Sequence, residues 1–315
     1  MYVTDNMRFL MILTALLPSV VSAQVFSSVV EEQIKGSEAG DVRMAGLSGD
    51  GNFAFVTTMA NKGLVRVSLA DGERVTVTDE DGAGVAPVVS NDGQTVLHCN
   101  DVIGEDKLRR TGVVFHDIAS GKEVRVTEPV RELGSYTLSG SMAEVNADGG
   151  MVRRKVAAKD RAGENRPSVT CSGLKLQVTV DGITTTLTPN GDSEDVNYIW
   201  ASVSPDGKRI LYYVSTEGTY VCDINGDNVQ YVGFDCLAPQ WYDDNTVVGM
   251  KEKDSDLFIT SSAIVAYTLD GQRQQLTSDD DVLLFPFCSA EAGRIVCTRG
   301  NGEMVMLKVE KCNEQ

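Results

Sequence analysis

Histidine and tryptophan are scarce in this 315-residue chain, with two of each. Two imidazoles, His98 and His116, fall short of the convergent set that a histidine-built metal centre needs, and lone strand histidines serve packing or surface roles. No G-x-S-x-G elbow occurs, so the usual nucleophile turn of a serine hydrolase is absent. Ser172-Gly173-Leu174-Lys175 spells S-x-x-K, but on a strand residues three apart point to opposite faces. With no nucleophile and base in view, no catalytic residue is assigned. Positive charge is also short: 28 Lys and Arg stand against 45 Asp and Glu, a net charge of −17. Such a chain repels phosphate backbones, which argues against nucleic acid as a partner.

The seven cysteines include no C-x-x-C pair, which removes zinc-knuckle and thioredoxin-type readings. A chain this long buries a core without staples, so mostly reduced, buried thiols are expected. One or two disulfides are the alternative. Cys288 with Cys297, opposed across a hairpin centred near Ala292-Gly293, is then the best pair, with adjacent reduced thiols as its counterpart.

Only one long apolar run is present, and it is N-terminal. Met7-Arg8 gives a positive start, Phe9 to Val21 is apolar, and Val21-Ser22-Ala23 ends in small residues. That order reads as a secretory signal peptide over 1–23 with cleavage near Ala23. It is too short and wrongly flanked for a good membrane-spanning helix. Residues 24–315 are then expected to form one soluble domain in the periplasm or outside the cell, with no membrane span.

What the sequence has in abundance is a repeat. Val203-Ser204-Pro205-Asp206-Gly207 precedes Lys208-Arg209-Ile210-Leu211-Tyr212-Tyr213, a strand, a tight turn and a second strand. Related turns place acidic residues at Asp50, Asp92, Asp148, Asp206, Asp244 and Glu291. Each is followed by an apolar strand, a Gly turn and another strand, as at Leu64–Ala70, Asp71-Gly72 and Glu73–Thr78. Four-stranded units at this spacing predict a six-bladed β-propeller, all-β, with five and seven blades as the alternatives. The last unit shows three strands, so the strand near Val25 to Gln33 is expected to complete the final blade and latch the ring. The turn Asp residues read as turn chemistry rather than metal ligands. Neither Asp279-Asp280-Asp281 nor Asp79-Glu80-Asp81-Gly82 matches a calcium loop. No cofactor is assigned, while a channel cation such as Ca²⁺ stays open.

The stretch Ser204–Tyr213, with the later Asp-x-x-Gly turn and Leu-Thr ending, resembles the WD-like repeat of TolB-type propellers. The resemblance runs over about residues 40–309, without room for a TolB N-terminal domain or a peptidase domain. It implies the architecture and a binding role, with no specific partner.

Two departures from the compact repeat are basic: Asn100–Thr111, with Lys107, Arg109 and Arg110, and Met151–Ser172, with Arg161 and Arg166 among its cations. Val152–Ala162 reads either as strand and loop or as one short helix. Both departures, and a third at Lys251–Ser262, are placed between second and third strands, hence on one face, where recognition loops gather. Trp241 aligns with blade-core positions, whereas Trp200, beside Tyr198, falls near the channel mouth as a candidate anchor. The expected function is a non-catalytic, monomeric scaffold for a protein or peptide, using Lys107, Arg109, Arg110, Arg161, Arg166, Tyr198 and Trp200. A carbohydrate-binding or carbohydrate-processing propeller, and an enzyme with a metal in its channel, are the rivals.

Overall fold

The computed structural model describes residues 24–37, 39–40, 42–156, 167–255 and 258–312. The leader reading at 1–23, together with Arg161 and Arg166, lies outside the described residues. The chain forms strands wherever β-branched and aromatic residues run between Gly, Asp and Asn turns. It enters on β1 (Phe26–Gln33) and then builds successive antiparallel sheets. Blade 1 is β2 (Arg43–Leu47), β3 (Phe53–Thr57), β4 (Leu64–Ser68) and β5 (Arg74–Thr78). Blade 2 is β6 (Val88–Val89), β7 (Thr95–Ile103), β8 (Arg109–Asp117) and β9 (Lys122–Val130). Blade 3 has three strands, β10 (Leu133–Ser139), β11 (Met142–Ala147) and β12 (Gly150–Lys155). Blade 4 also has three, β13 (Ser168–Ser172), β14 (Lys175–Val180) and β15 (Ile183–Leu187). Blade 5 is β16 (Tyr198–Val203), β17 (Arg209–Val214), β18 (Gly218–Asp223) and β19 (Gln230–Gly233). Blade 6 is β20 (Leu237–Asp243), β21 (Thr246–Asp254), β22 (Ile259–Thr268) and β23 (Arg273–Gln275). Blade 7 is β24 (Leu283–Ser289), β25 (Arg294–Arg299) and β26 (Met304–Lys311), completed by β1.

The ring therefore has seven blades, not six. The first strands β2, β6, β10, β13, β16, β20 and β24 each touch the next, and β24 returns to β2, which closes the circle. The miscount arose in one place. Residues 133–187, read as a single unit with a basic insertion, fold as two three-stranded blades. Asp148-Gly149 is the turn between β11 and β12, a second-to-third-strand turn, so it does not mark a blade start.

An odd number of strands has a topological consequence. The chain leaves blade 3 at the face opposite the one it entered, and blade 4 runs upside down. Leu174, past the end of β13, accepts from the N–H of Tyr198 at the start of β16 (3.0 Å). Pro167, before β13, sits against Gly207, past the end of β16, where an added Cβ would meet its Cδ at 3.4 Å. Those two contacts make β13 antiparallel to β16. A second three-stranded blade restores the direction, and blade 5 starts on the original face. Arg153 and Arg154, on the descending strand β12, therefore do not share the face of the other two insertions. Arg153 pairs with Glu144 and Arg154 donates to the Arg125 carbonyl.

The turns between first and second strands are built on serine as much as on aspartate. Ser204 Oγ donates to Asp206 Oδ1 (2.6 Å) and accepts from the N–H groups of Lys208 (3.2 Å) and Arg209 (2.9 Å). Ser48 and Ser90 make the same bond to Asp50 and Asp92. Gly207 completes the turn at φ +76°, a left-handed conformation open to glycine. Asp50, Asp92 and Asp206 are thus held inside local turns, whereas Asp244 accepts from the Asp206 N–H of the preceding blade.

Blade faces are dry because each sheet lies between two others. Ile210 to Val214 is a buried run, as expected where both faces of a strand are covered. All seven thiols are free. Cys288 faces Ile295, and Phe287 faces Val296, because the hairpin is centred on Glu291-Ala292, one residue earlier than expected, with Ser289 opposite Arg294. Cys288 and Cys297 are therefore not directly opposed. No helix among the described residues is long and apolar enough to cross a membrane.

Candidate functional site at the channel mouth

Blade 4 apart, one face carries the starts of the inner strands together with the loops joining second to third strands. The channel opens there into a cavity of about 640 Å³. Its wall comes from Arg43 to Ala45 and Asn61 of blade 1, Gly84 to Pro87 of blade 2, Trp200 to Ser202 of blade 5, Ala238 and Gln240 of blade 6, and Phe285 to Phe287 of blade 7. Among the described residues, the three-stranded blades contribute nothing to it.

The wall has an internal order. Counted back three places from the equivalent positions Val89, Val203, Trp241 and Cys288 of the repeat stand Ala86, Trp200, Ala238 and Phe285. All four are non-glycine residues with left-handed backbone, at φ +42°, +53°, +45° and +54°. Register shifts fall beside three of them, between Ile199 and Ser202, Leu237 and Gln240, and Leu284 and Phe287. A bulge with a left-handed residue bends the strand and redirects neighbouring side chains. Each such conformation costs on the order of 1–3 kcal/mol and persists where the surroundings enforce it, commonly at functional sites. Four equivalents around one opening make the strained collar the distinguishing feature of this molecule.

Trp200 sits on the collar, 39% exposed, with its ring 5.3 Å from that of Tyr213. Tyr198, two residues earlier, is buried. Its hydroxyl donates to the Gly191 carbonyl (2.9 Å) and accepts from the Asn190 N–H (2.8 Å), a structural role. Lys107 occupies the tip of the β7–β8 hairpin at φ +60°. Arg110 is held by Asp106 through two bonds of 2.8 and 2.7 Å, and that pairing depresses the Asp106 carboxyl. Arg109 lies 3.7 Å from Asp101. The hairpin's cations are thus largely neutralised by carboxylates of the same hairpin.

The charge that sequence reasoning missed is Arg43. One position before the collar, the other lining blades carry Val85, Ile199, Leu237 and Leu284, all aliphatic, whereas blade 1 has Arg43. Aligning the inner strands position by position, rather than scanning for basic clusters, is the signal that finds it. Its guanidinium donates to the Met44 carbonyl (2.8 Å), the Gly84 carbonyl (3.3 Å) and the Asn61 amide oxygen, and lies 5.6 Å over the Phe285 ring. Every acceptor is neutral. Burial pulls its pKa down, with no carboxylate among the described residues raising it.

His98 and His116 lie away from the mouth, between blades 1 and 2, with ring centroids 6.2 Å apart. His98 is buried, its Nδ1 2.9 Å from the Cys99 carbonyl, and desolvation lowers its pKa. Among the described residues, no group of three or more His, Cys, Asp or Glu is arranged to hold a metal.

Around the mouth the same face exposes Met59, Ile103, Phe234 and Phe258. These come from the second-to-third-strand hairpins of blades 1, 2 and 6 and from the segment after β19 of blade 5.

No family model and no curated protein matches the chain. Solved structures do. TolB from Acinetobacter baumannii superimposes with TM-score 0.50 at 16% identity, over 79% of this chain and 56% of that one. This chain thus spans little more than half of that TolB. The β-propeller domain of the Trilobed protease from Pyrococcus furiosus gives 0.52 at 11%, covering 87% and 99%. YCF48, solved bound to a D1 peptide, gives 0.55 at 13%, covering 92% and 99%. The structural neighbours are TolB-like and other β-propeller proteins, and at these identities the likeness establishes the fold.

Proposed function

We propose that this chain is an exported, non-catalytic scaffold that binds a protein or peptide at the channel mouth. The observation that carries the reading is the collar, where four left-handed inner-strand residues, two of them aromatic, surround a cavity of about 640 Å³. Cavities of that size, mostly apolar with a few placed polar groups, are typical ligand sites. Exposed Trp200 and Phe258 supply the aromatic anchors that dominate protein interfaces. Arg43, Asn61, Ser202 and Gln240 are the polar side chains of the wall, few and placed among apolar ones, as in sites that orient a ligand. Export rests on the leader-like order of residues 1–23. One neighbour of the same fold was solved with a peptide bound, which fits the reading.

The test is site-specific photocrosslinking in extract of the source organism. A benzophenone side chain replaces Trp200 in one variant and Val229, exposed on the opposite face, in another. A discrete protein adduct at 200, absent at 229 and lost when Phe285→Ala is added, supports the assignment. Equal labelling at both positions refutes it.

A further inference from the structure

We infer that the channel mouth recognises a free carboxylate, the C-terminus of a peptide whose last residue is apolar, with Arg43 as the receptor for the charge. The inference rests on the binding role of this cavity and adds the chemistry of its ligand. A guanidinium taken partly out of water is costly unless an anion meets it. Arg43 has neutral acceptors alone among the described residues, and its Nε–H and one Nη1–H remain available beside the cavity. Arginine presents donors in a fork that matches a carboxylate bidentately.

The surroundings narrow the anion. A phosphate dianion would call for a second cation, and the remaining wall supplies none. A polyanion would also meet a protein of net charge −17. One carboxylate on an apolar body fits both the single arginine and the Phe285, Phe287 and Trp200 side chains. The polar remainder suits a peptide backbone. Gln240 offers an amide, and Asn61 a second one beside Arg43. An axial opening ringed by inner strands admits one chain end more readily than a loop, which brings two backbones side by side at roughly 5 Å spacing.

Fluorescence anisotropy on the full chain tests this with a pool of labelled hexapeptides ending in Phe, Leu, Val or Ala as free acids. The comparison pool is identical but amidated. A third set is amidated with an internal Glu, and 3-phenylpropanoate is the small-molecule competitor. A charge-assisted pair predicts free acids binding about ten- to a hundredfold tighter than amides. Arg43→Gln should erase that preference, and Arg43→Lys should retain only part of it. Equal affinity of acids and amides on the native chain overturns the proposal without recourse to any variant. So does preference for internal Glu, or displacement by 3-phenylpropanoate at peptide-like affinity, which would make the ligand a small acid. If no peptide pool binds while position 200 still crosslinks a protein, the carboxylate inference fails and the scaffold reading survives. If both fail, the cavity is not the site.

Discussion

Phe26 is the side chain through which ring closure can be measured. It sits at the start of β1, 1% exposed, with its ring edge-on to Tyr242 of blade 6 at 4.9 Å. Gln274 of β23 clamps the same residue by accepting from its N–H (2.7 Å) and donating to its carbonyl (3.1 Å). Phe26→Ala leaves that clamp and removes the ring. A buried phenylalanine hides roughly 170 Å² of apolar surface, worth about 4 kcal/mol at ~25 cal/mol/Å². The edge-to-face pair adds about 1 kcal/mol, and large-to-small core changes of this kind cost about 3–5 kcal/mol. Val30→Ala is the control, on the same strand but half exposed, with an expected cost below about 0.5 kcal/mol. Guanidinium unfolding followed by fluorescence of Trp200 and Trp241 separates the two variants. A Phe26→Ala midpoint indistinguishable from that of Val30→Ala would show that β1 is not an integral strand of blade 7.

Other consequences follow from the turns, the histidine pair and the thiols. Ser204→Ala strips the Lys208 and Arg209 amides and Asp206 of their shared partner, so a loss of about 1–2 kcal/mol is expected in thermal unfolding. Ser255→Ala, at an exposed loop, serves as the neutral comparison. His98 has its pKa lowered in the fold relative to an unfolded value of about 6.5, so the unfolded chain binds the proton more tightly. Stability should therefore fall as pH drops below about 6.5, by at most ~1.4 kcal/mol per pH unit from this group, until the folded pKa is passed. His98→Gln should flatten that slope in unfolding measured between pH 7 and 5. Burial pushes the Cys99 thiol up to about 11 and the Cys222 and Cys236 thiols to about 12. Alkylation of the native protein at pH 8 should leave these three unmodified, whereas denaturation without reductant should expose all seven to reagent.

Much of the ring was legible in residues because propeller units repeat their turn chemistry. Ser204-Pro205-Asp206-Gly207 has a serine, an acid and a glycine at the places the turn requires, and Ser48 and Ser90 repeat it. The latch was legible because the last unit ran one strand short. Blades 3 and 4 were not. Asp148-Gly149 obeys the same left-handed turn rule, but joins a different pair of strands, and local chemistry does not encode strand rank. Inversion of blade 4 is a matter of parity, set by the outer strand missing from blade 3 and undone by the one missing from blade 4, and no single residue announces it. At the site, attention to clusters favoured Lys107, Arg109 and Arg110, of which the two arginines are balanced by the neighbouring Asp101 and Asp106. The consequential cation stands alone at Arg43, visible only when five inner strands are compared position by position.

The pairing of β1 with β26 also constrains the order of events as the protein is made. Strand β1 waits for a partner centred near Val309, some 280 residues further along the chain. Throughout that interval an unpaired hydrogen-bonding edge is open to other unfolded chains, the circumstance in which aggregation competes with folding. The strand's own sequence mitigates this, since Glu31 and Glu32 interrupt its apolar character as charged gatekeepers do. After closure they change role, with Glu31 meeting Arg299 at 2.5 Å and Glu32 meeting Lys308 at 2.7 Å. The same two carboxylates thus guard the free strand in its waiting period and fasten it once its partner arrives.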